Sequence, residues 1–522
     1  MLLSGFPEIL TELVVNMLHM FLENPGKGWK MRRASTITAV AGYCGGLLAA
    51  VGTLMIIPGV AAVFLDGSSS HTTVPSFVLP GAGAVVVGLA LWRVFGRQPI
   101  TNARAMLVCS IGWMTAAFVS ALPYHFGMGC GYLDALFEST AGFTTTGFTL
   151  FHGFDGIPRS MLFWRCFTQW LGGLGILTFF LAVSSQAPGA HMLLGAESHK
   201  ISSSRPVPGM ANTLRVFWVI YGGITILAVT VFLLGGMGVF DAVNHGLTTA
   251  STGGFSTKEE GIAWFTQARG MNPWVIQYGL VLCMVLGGTN FLVLFKVLSG
   301  SVRSLWNTLE ARLWWGLLLG FTAVVVLEKL ARGVHGSLEE AFRQSLFTVV
   351  SLMTSTGFII TELSSPLFGP VARHCFILML IVGGCVGSTS GGLKVLRLGI
   401  LLKSAGQEVR RLFNPIRAVS GVRVDGKLVP RAEVHRASAI FFLWMLFLGL
   451  GSIASASFTG IESGESMSVT ASTMGNMGPS FIPMGEMSFF PAPAKLICIL
   501  GMMAGRLEIL PLLMLFRRRA WR

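Results

Sequence analysis

Long stretches of this chain carry no charged side chain. None occurs between Arg33 and Asp66, Asp66 and Arg93, Arg104 and Asp134, Arg165 and Glu197, Arg215 and Asp241, Arg269 and Lys296, Arg373 and Lys394, or Arg436 and Glu462. A helix needs about 20 apolar residues to cross a bilayer core, and each interval can supply them. Leu313–Leu327 and 487–516 are weaker candidates. The first is short, with Lys329 and Arg332 placed to snorkel at its end; the second carries Arg506 and Glu508. The chain therefore reads as an all-α polytopic membrane protein of about ten spans. Only 11% of its 522 residues are charged, against roughly 25% in a soluble chain. A water-facing surface cannot be covered with so few charges, so a string of soluble domains is excluded. The longest polar connection, about 404–436, leaves no room for a soluble catalytic domain.

The net charge of +14 then finds a membrane explanation. If the N-terminus is cytoplasmic and the spans alternate, the outer connections hold only Arg159, Lys258, Arg269, Lys329, Arg332, Arg343, Arg373 and Lys495. Apart from Arg165 and Arg506 within spans, the remaining Lys and Arg fall inside. This is the positive-inside bias, it places both termini in the cytoplasm, and it requires no nucleic-acid partner. Residues 6–24 are expected to lie on the membrane surface as an amphipathic helix. The eight cysteines show no C-x-x-C spacing and sit in apolar runs, where they read as small core residues.

A unit recurs after successive outward spans. It appears as Asp-Ala-Leu-Phe-Glu-Ser-Thr-Ala-Gly-Phe-Thr-Thr-Thr-Gly-Phe-Thr at 134–149, and again at 241–256, 340–358 and 468–480. Each copy reads as a short helix, a Thr/Ser–Gly turn on the outer side, and an inward span. Gly147, Gly254 and Gly357 align at near-equal intervals, each followed by Phe; Gly475 and Gly478 are both open for the fourth copy. Non-helical backbone survives in a membrane only when buried or lining a watery path. Four such turns can surround one axis, where their carbonyls replace the hydration shell of a permeating cation. Glycine is expected there because the turn needs unusual dihedrals and a Cβ would obstruct the path. The candidate cation-binding residues are Thr145, Thr146 and Gly147; Thr252, Gly253 and Gly254; Ser355, Thr356 and Gly357; and Asn476, Met477 and Gly478.

Two further features fall inside spans. The run Gly383-Gly384-Cys385-Val386-Gly387-Ser388-Thr389-Ser390-Gly391-Gly392 is too rich in glycine and hydroxyl groups to hold a helix. It is expected to break the third inward span as a mid-membrane loop, anchored by Lys394. Arg506 is a charge within the last span, costly unless used. It is expected to reach the path near that loop and oppose cations. Glu138, in the first short helix, reads as a packing anchor. His125, His152 and His245 share no ligand spacing.

The motifs Phe-Thr-Thr-Thr-Gly-Phe (143–148), Gln-Trp-Leu-Gly-Gly-Leu-Gly-Ile (169–176), Gly-Gly-Phe-Ser-Thr (253–257) and Gly-Asn-Met-Gly-Pro-Ser (475–480) resemble the K⁺ transporter superfamily that includes TrkH, TrkG, KtrB and the plant HKT proteins. The likeness runs from about 36 to 516, and the extra pair of spans at 36–95 resembles the TrkH/TrkG branch. It implies four tandem helix–pore loop–helix repeats around one K⁺ pathway and selects Gly478 in the fourth turn. Pro479 stands where the first three turns have Phe. Glycine at all four positions is similar to the K⁺-permeable members. The implied organisation is an N-terminal segment (1–35), the extra helix pair (36–100), and repeats at 101–205, 206–305, 306–425 and 426–522, with a gating loop at 383–392 and Arg506 facing it. No cofactor besides K⁺ is expected on this chain, since it has no nucleotide-binding motif. The resemblance implies a homodimer in the bacterial inner membrane, docked on a cytosolic ring of TrkA-type NAD- and nucleotide-binding subunits. The basic segment 403–436 and the tail 517–522 are candidate docking surfaces. An ion-coupled carrier of another cation or small solute is the alternative. It would be expected to place carboxylates at midplane, where Glu508 is the main one. No paired catalytic residues mark an enzyme.

Overall fold

A computed structural model describes residues 35–96, 98, 101–184, 210–334, 336–413 and 421–521. The helix expected at 6–24 lies outside them. Among the described residues the fold is mostly helical. Among the described residues, six helices are long and apolar enough to cross a membrane, or seven if one bent pair is a single span.

The first two span-forming segments, Thr36–Leu65 and Gly67–Phe95, form a hairpin. Lipid tails are as apolar as leucine, so helices in a membrane are held by close contact instead of by exclusion from water. Glycine supplies that contact here. A Cβ on Gly52 or Gly81 would crowd the other's carbonyl, and one on Gly88 would lie 2.5 Å from Ala49 N. Asp66 at the turn accepts Ser160 N–H (2.9 Å) and Thr73 Oγ1–H (2.8 Å), tying the hairpin to the next unit.

Four units of leading helix, short helix, turn and returning helix follow. The short helices are Tyr132–Phe143, Val239–Ala250, Leu338–Met353 and Ser463–Gly475. Each returning helix packs on the short helix of the next unit: Arg159–Ser184 on the second, Pro273–Gly288 on the third, Pro370–Ile381 on the fourth. Ala492–Arg506 packs back on the first. The order therefore closes into a circle. Lys495 and Asp134, 2.6 Å apart, join the last unit to the first.

The leading segments run through their spans with no more than a one-residue turn at Ala121 in the first, but three returning segments are interrupted. Pro273–Gly288 and Phe291–Leu298 meet at 108°, where Asn290 restarts the chain by accepting Leu292 N–H at 2.9 Å as an N-cap. The third stops at Ile381 and resumes at Val395. The fourth stops at Arg506, with Glu508 (φ 60°) and Ile509 (φ 61°) left-handed. The described parts of the expected polar connection hold regular structure: Val395–Arg411 is helical, and Arg423–Val424 pairs with Lys427–Leu428. Asp425 and Gly426 both have positive φ, as a two-residue hairpin turn of matching twist requires.

Candidate functional site

The four short helices end in one and the same way. The αL residue closing each is Thr145 (φ 53°), Thr252 (51°), Ser355 (53°) or Asn476 (52°). The next amide returns five residues: Thr146 N–H to Ala141 O (2.9 Å), Gly253 to Thr248 (2.8 Å), Thr356 to Ser351 (2.9 Å), Met477 to Ser472 (3.0 Å). This is a Schellman ending, which satisfies carbonyls the helix would leave orphaned. A non-glycine residue in αL costs roughly 1–2 kcal/mol, so the surroundings must enforce it four times.

The glycine that follows has φ of 81° at Gly147, 79° at Gly254, 80° at Gly357 and 95° at Gly478. Gly478, not Gly475, is thus the equivalent position in the fourth turn. A Cβ on Gly147 would overlap Gly253 O; on Gly254, Thr356 O; on Gly357, Met477 O; and on Gly478 it would lie 2.6 Å from Thr146 O. The four turns form a closed ring, each seated against the carbonyl of the next. The missing Cβ leaves room for the neighbouring turn's carbonyl. The negative ends of four helix dipoles converge on this ring, a potential that favours cations. A cavity of about 350 Å³ opens on it, touching Gly147, Gly254, Gly357 and Pro479, with Glu259, Glu260 and Glu362 in its wall.

The interrupted third returning segment lies directly against the ring. Ser355 Oγ bonds Ser390 Oγ (2.9 Å) and accepts Gly391 N–H (2.6 Å); Thr252 Oγ1 donates to Thr389 Oγ1 (3.3 Å). A Cβ on Gly391 would lie 2.7 Å from Asn476 Cβ. The loop is internally closed: Gly383 N–H donates to Leu393 O (3.0 Å), Gly384 N–H to Ser390 Oγ (2.8 Å), Ser388 Oγ–H to Cys385 O (2.7 Å). Gly387 and Gly392 take positive φ at its bends, and Lys394 Nζ donates to Ser390 O. The break in the second returning helix cradles it. Gly288 O accepts Cys385 N–H (3.0 Å), Gly287 O accepts Thr389 N–H (3.2 Å), and Gly387 O accepts Phe291 N–H (3.1 Å).

Arg506 completes the clamp. Its Nη1 donates to Thr389 O (2.7 Å), and Nη2 to Gly172 O (2.9 Å) and Gly173 O (2.7 Å). It therefore holds the loop to the first returning helix. Glu508 pairs instead with Arg397.

Other residues of this region carried no clear signal in the sequence. Glu310 is buried at the start of Leu309–Ala331 and accepts the loop's Val386 N–H (2.6 Å). Each short helix is also strutted to the segment after its turn, with different chemistry each time. His245 Nε2 meets Ser256 Oγ (2.9 Å), Ser351 Oγ–H donates to Phe358 O (2.6 Å), and Ser468 Oγ accepts Phe481 N–H (2.9 Å). In the first unit the strut is Glu138, which accepts Thr149 Oγ1–H (3.0 Å) and Leu150 N–H (3.2 Å). Arg165 Nε lies 2.6 Å from Glu138, both side chains buried, and its Nη1 donates to Ser256 O (3.1 Å) in the second unit. Removing one partner of a buried pair costs about 3–5 kcal/mol. Glu138→Ala is thus expected to lower the thermal midpoint of the detergent-purified protein markedly, read by size-exclusion after heating. An unchanged midpoint would show that the pair does not brace the ring.

The sequence profile of the TrkH family, described as a cation transport protein, matches residues 96–521. The Trk system potassium uptake protein TrkH of Vibrio parahaemolyticus is 32% identical over 494 residues, covering 91% of this chain and 97% of that protein. TrkH of Salmonella typhimurium is 30% identical over 478 residues, covering 90% and 96%. The crystal structure of the potassium transporter TrkH from Vibrio parahaemolyticus superposes with a TM-score of 0.81 at 28% identity, covering 93% of this chain and all of that one.

Proposed function

The chain belongs to the TrkH family of cation transport proteins, and from that premise we propose that it conducts K⁺ into the cell through the ring of four turns. The observation that carries this reading is the cyclic closure: four turns of matching backbone geometry, each glycine against the next turn's carbonyl. Backbone carbonyls held in a ring can stand in for the water around a K⁺ ion, and converging helix dipoles lower its energy there. Each turn offers few stacked positions, so discrimination rests on a short filter. Thr145, Thr146 and Gly147 and their counterparts through Gly478 are the filter residues in this reading.

The loop 383–392 is the gate. It occupies the far side of the ring from the acidic cavity, and it must move for an ion to leave. Arg506 holds it closed and adds positive charge beside the path. The protein resides in the bacterial inner membrane with both termini in the cytoplasm, as the distribution of Lys and Arg supports. The repeat boundaries at 101–205, 206–305, 306–425 and 426–522 follow from the recurring unit. A homodimer bound to a TrkA-type nucleotide-binding ring is the assembly this reading favours, with the basic hairpin around Arg423–Leu428 and the tail as its docking surface. Any nucleotide is bound by that partner, and K⁺ is the only ligand of this chain.

The test is ⁸⁶Rb⁺ influx into liposomes containing the purified chain, with K⁺ or Na⁺ as competitor. The reading expects influx that K⁺ suppresses far more strongly than Na⁺. Equal suppression would refute K⁺ selectivity while sparing the pore; absence of influx from open-gate variants would refute the pore.

A further inference from the structure

The second turn differs chemically from the others. The residue before the ring glycine is Thr146, Thr356 or Met477 in turns one, three and four, but Gly253 in turn two. A side chain from elsewhere takes that place. A Cβ on residue 253 would overlap the carboxamide of Gln169, which lies buried on the first returning helix. Gln169 Nε2 donates to Gly253 O at 2.6 Å, and Oε1 accepts Phe255 N–H at 3.1 Å. The two bonds bracket Gly254 on both sides. Gly253 O is also the carbonyl against which Gly147 is seated.

Equivalent positions on two other returning helices lack an amide. Gly172 and Gly505 lie against the carbonyls of Phe143 and Met474, and Gly287 lies more loosely near that of Ala250, the last or next-to-last residues of their short helices. Three residues before each stand Gln169, Met284 and Met502. The amide therefore acts on one turn of the ring and makes that ring chemically asymmetric.

We propose that Gln169 is a positioning residue for ion selectivity, acting through the Gly253 carbonyl. An amide donor at 2.6 Å fixes the direction of that oxygen and engages part of its electron density. A carbonyl so held cannot swing inward to close around a smaller ion, and the number and field of the coordinating carbonyls set the K⁺/Na⁺ preference. The inference rests on the reading of the ring as a filter.

The experiment compares ⁸⁶Rb⁺ with ²²Na⁺ influx in liposomes for the wild-type chain, Gln169→Met and Gln169→Glu. Methionine keeps length and bulk without the amide. Glutamate is isosteric, keeps the acceptor facing Phe255 N–H, and when ionised loses the donor, so it supplies the reading if the methionine variant does not fold. Both are expected to lower the Rb⁺/Na⁺ influx ratio about fivefold, the worth of one hydrogen bond of roughly 1 kcal/mol, with Rb⁺ influx still measurable. A wild-type ratio in either folded variant overturns the role of Gln169 and leaves the pore standing. Absence of Rb⁺ influx in both the wild type and Arg506→Ala overturns the pore reading itself.

Discussion

Gly357→Ala is expected to abolish K⁺ uptake while the protein still reaches the membrane. Gly357 has φ of 80°, where an alanine carries a strain of about 1–3 kcal/mol. Its Cβ would overlap Met477 O and stand 3.0 Å from Pro479 Cδ. Neither atom belongs to a flexible side chain that can turn aside, so the third and fourth turns must separate. Separation opens the ring at one of its four seats, and the carbonyl geometry is lost with it. The loss is local because Met477 N–H remains tied to Ser472 O in its own helix. Gly449→Ala is the matched control: it lies mid-helix with open space where the Cβ would go, and alanine favours the helix by up to about 1 kcal/mol. Growth of an uptake-deficient host in K⁺-limited medium, with protein level measured alongside, separates the two. Wild-type growth with Gly357→Ala would show that the ring tolerates an opened seat.

Arg506→Ala is expected to raise cation flux by about an order of magnitude. Two effects act in the same direction. A fixed positive charge beside the path raises the energy of a passing K⁺ ion, and that barrier disappears. The bonds from Arg506 to Thr389, Gly172 and Gly173 carbonyls also disappear, releasing the loop from the first returning helix. Arg506→Lys separates the two contributions. Lysine keeps the charge but cannot span three carbonyls as a planar guanidinium does. High flux in Arg506→Lys identifies the latch, and low flux identifies the charge. Unchanged flux in Arg506→Ala at normal protein level would contradict both.

The parts of the fold that follow from charge spacing were legible in the sequence. Uncharged intervals mark where helices cross, and the recurring Thr/Ser–Gly turns mark the four units. The glycine run 383–392 marks the break in the third returning segment, but charge spacing does not show that the second and fourth break too. The second returning helix bends at Gly287-Gly288-Thr289-Asn290, a glycine pair followed by an N-cap residue. That signal was present and was masked by the apolar residues on both sides. The fourth breaks at Glu508 and Ile509, where no glycine announces it; tertiary contacts impose a left-handed conformation that isoleucine resists. The Asp425-Gly426 pair was a legible hairpin signal inside a segment that otherwise reads as polar.

The site shows the same division. Thr145, Thr252, Ser355 and Asn476 are not one residue type, yet share one positive-φ geometry, because the helix ending is fixed by backbone bonds and not by side-chain type. The contacts of Gln169, which opens one of the matching motifs, and of Glu310 are not legible for a different reason. Each acts on backbone more than seventy residues away in sequence, and no local pattern encodes such a contact. The sequence marks the ring glycines as special but not which atoms crowd them, since the carbonyl nearest each Cβ position belongs to another unit.

The central claim is that the four turns hold a permeating ion on their common axis. Anomalous scattering from crystals grown in Rb⁺ or Tl⁺ in place of K⁺ tests it directly. A peak is expected on that axis, among the backbone oxygens of 145–147, 252–254, 355–357 and 476–478, with its loss in Gly357→Ala. A wild-type ring that diffracts well with no peak there, or an ion bound only elsewhere in the chain, would contradict it.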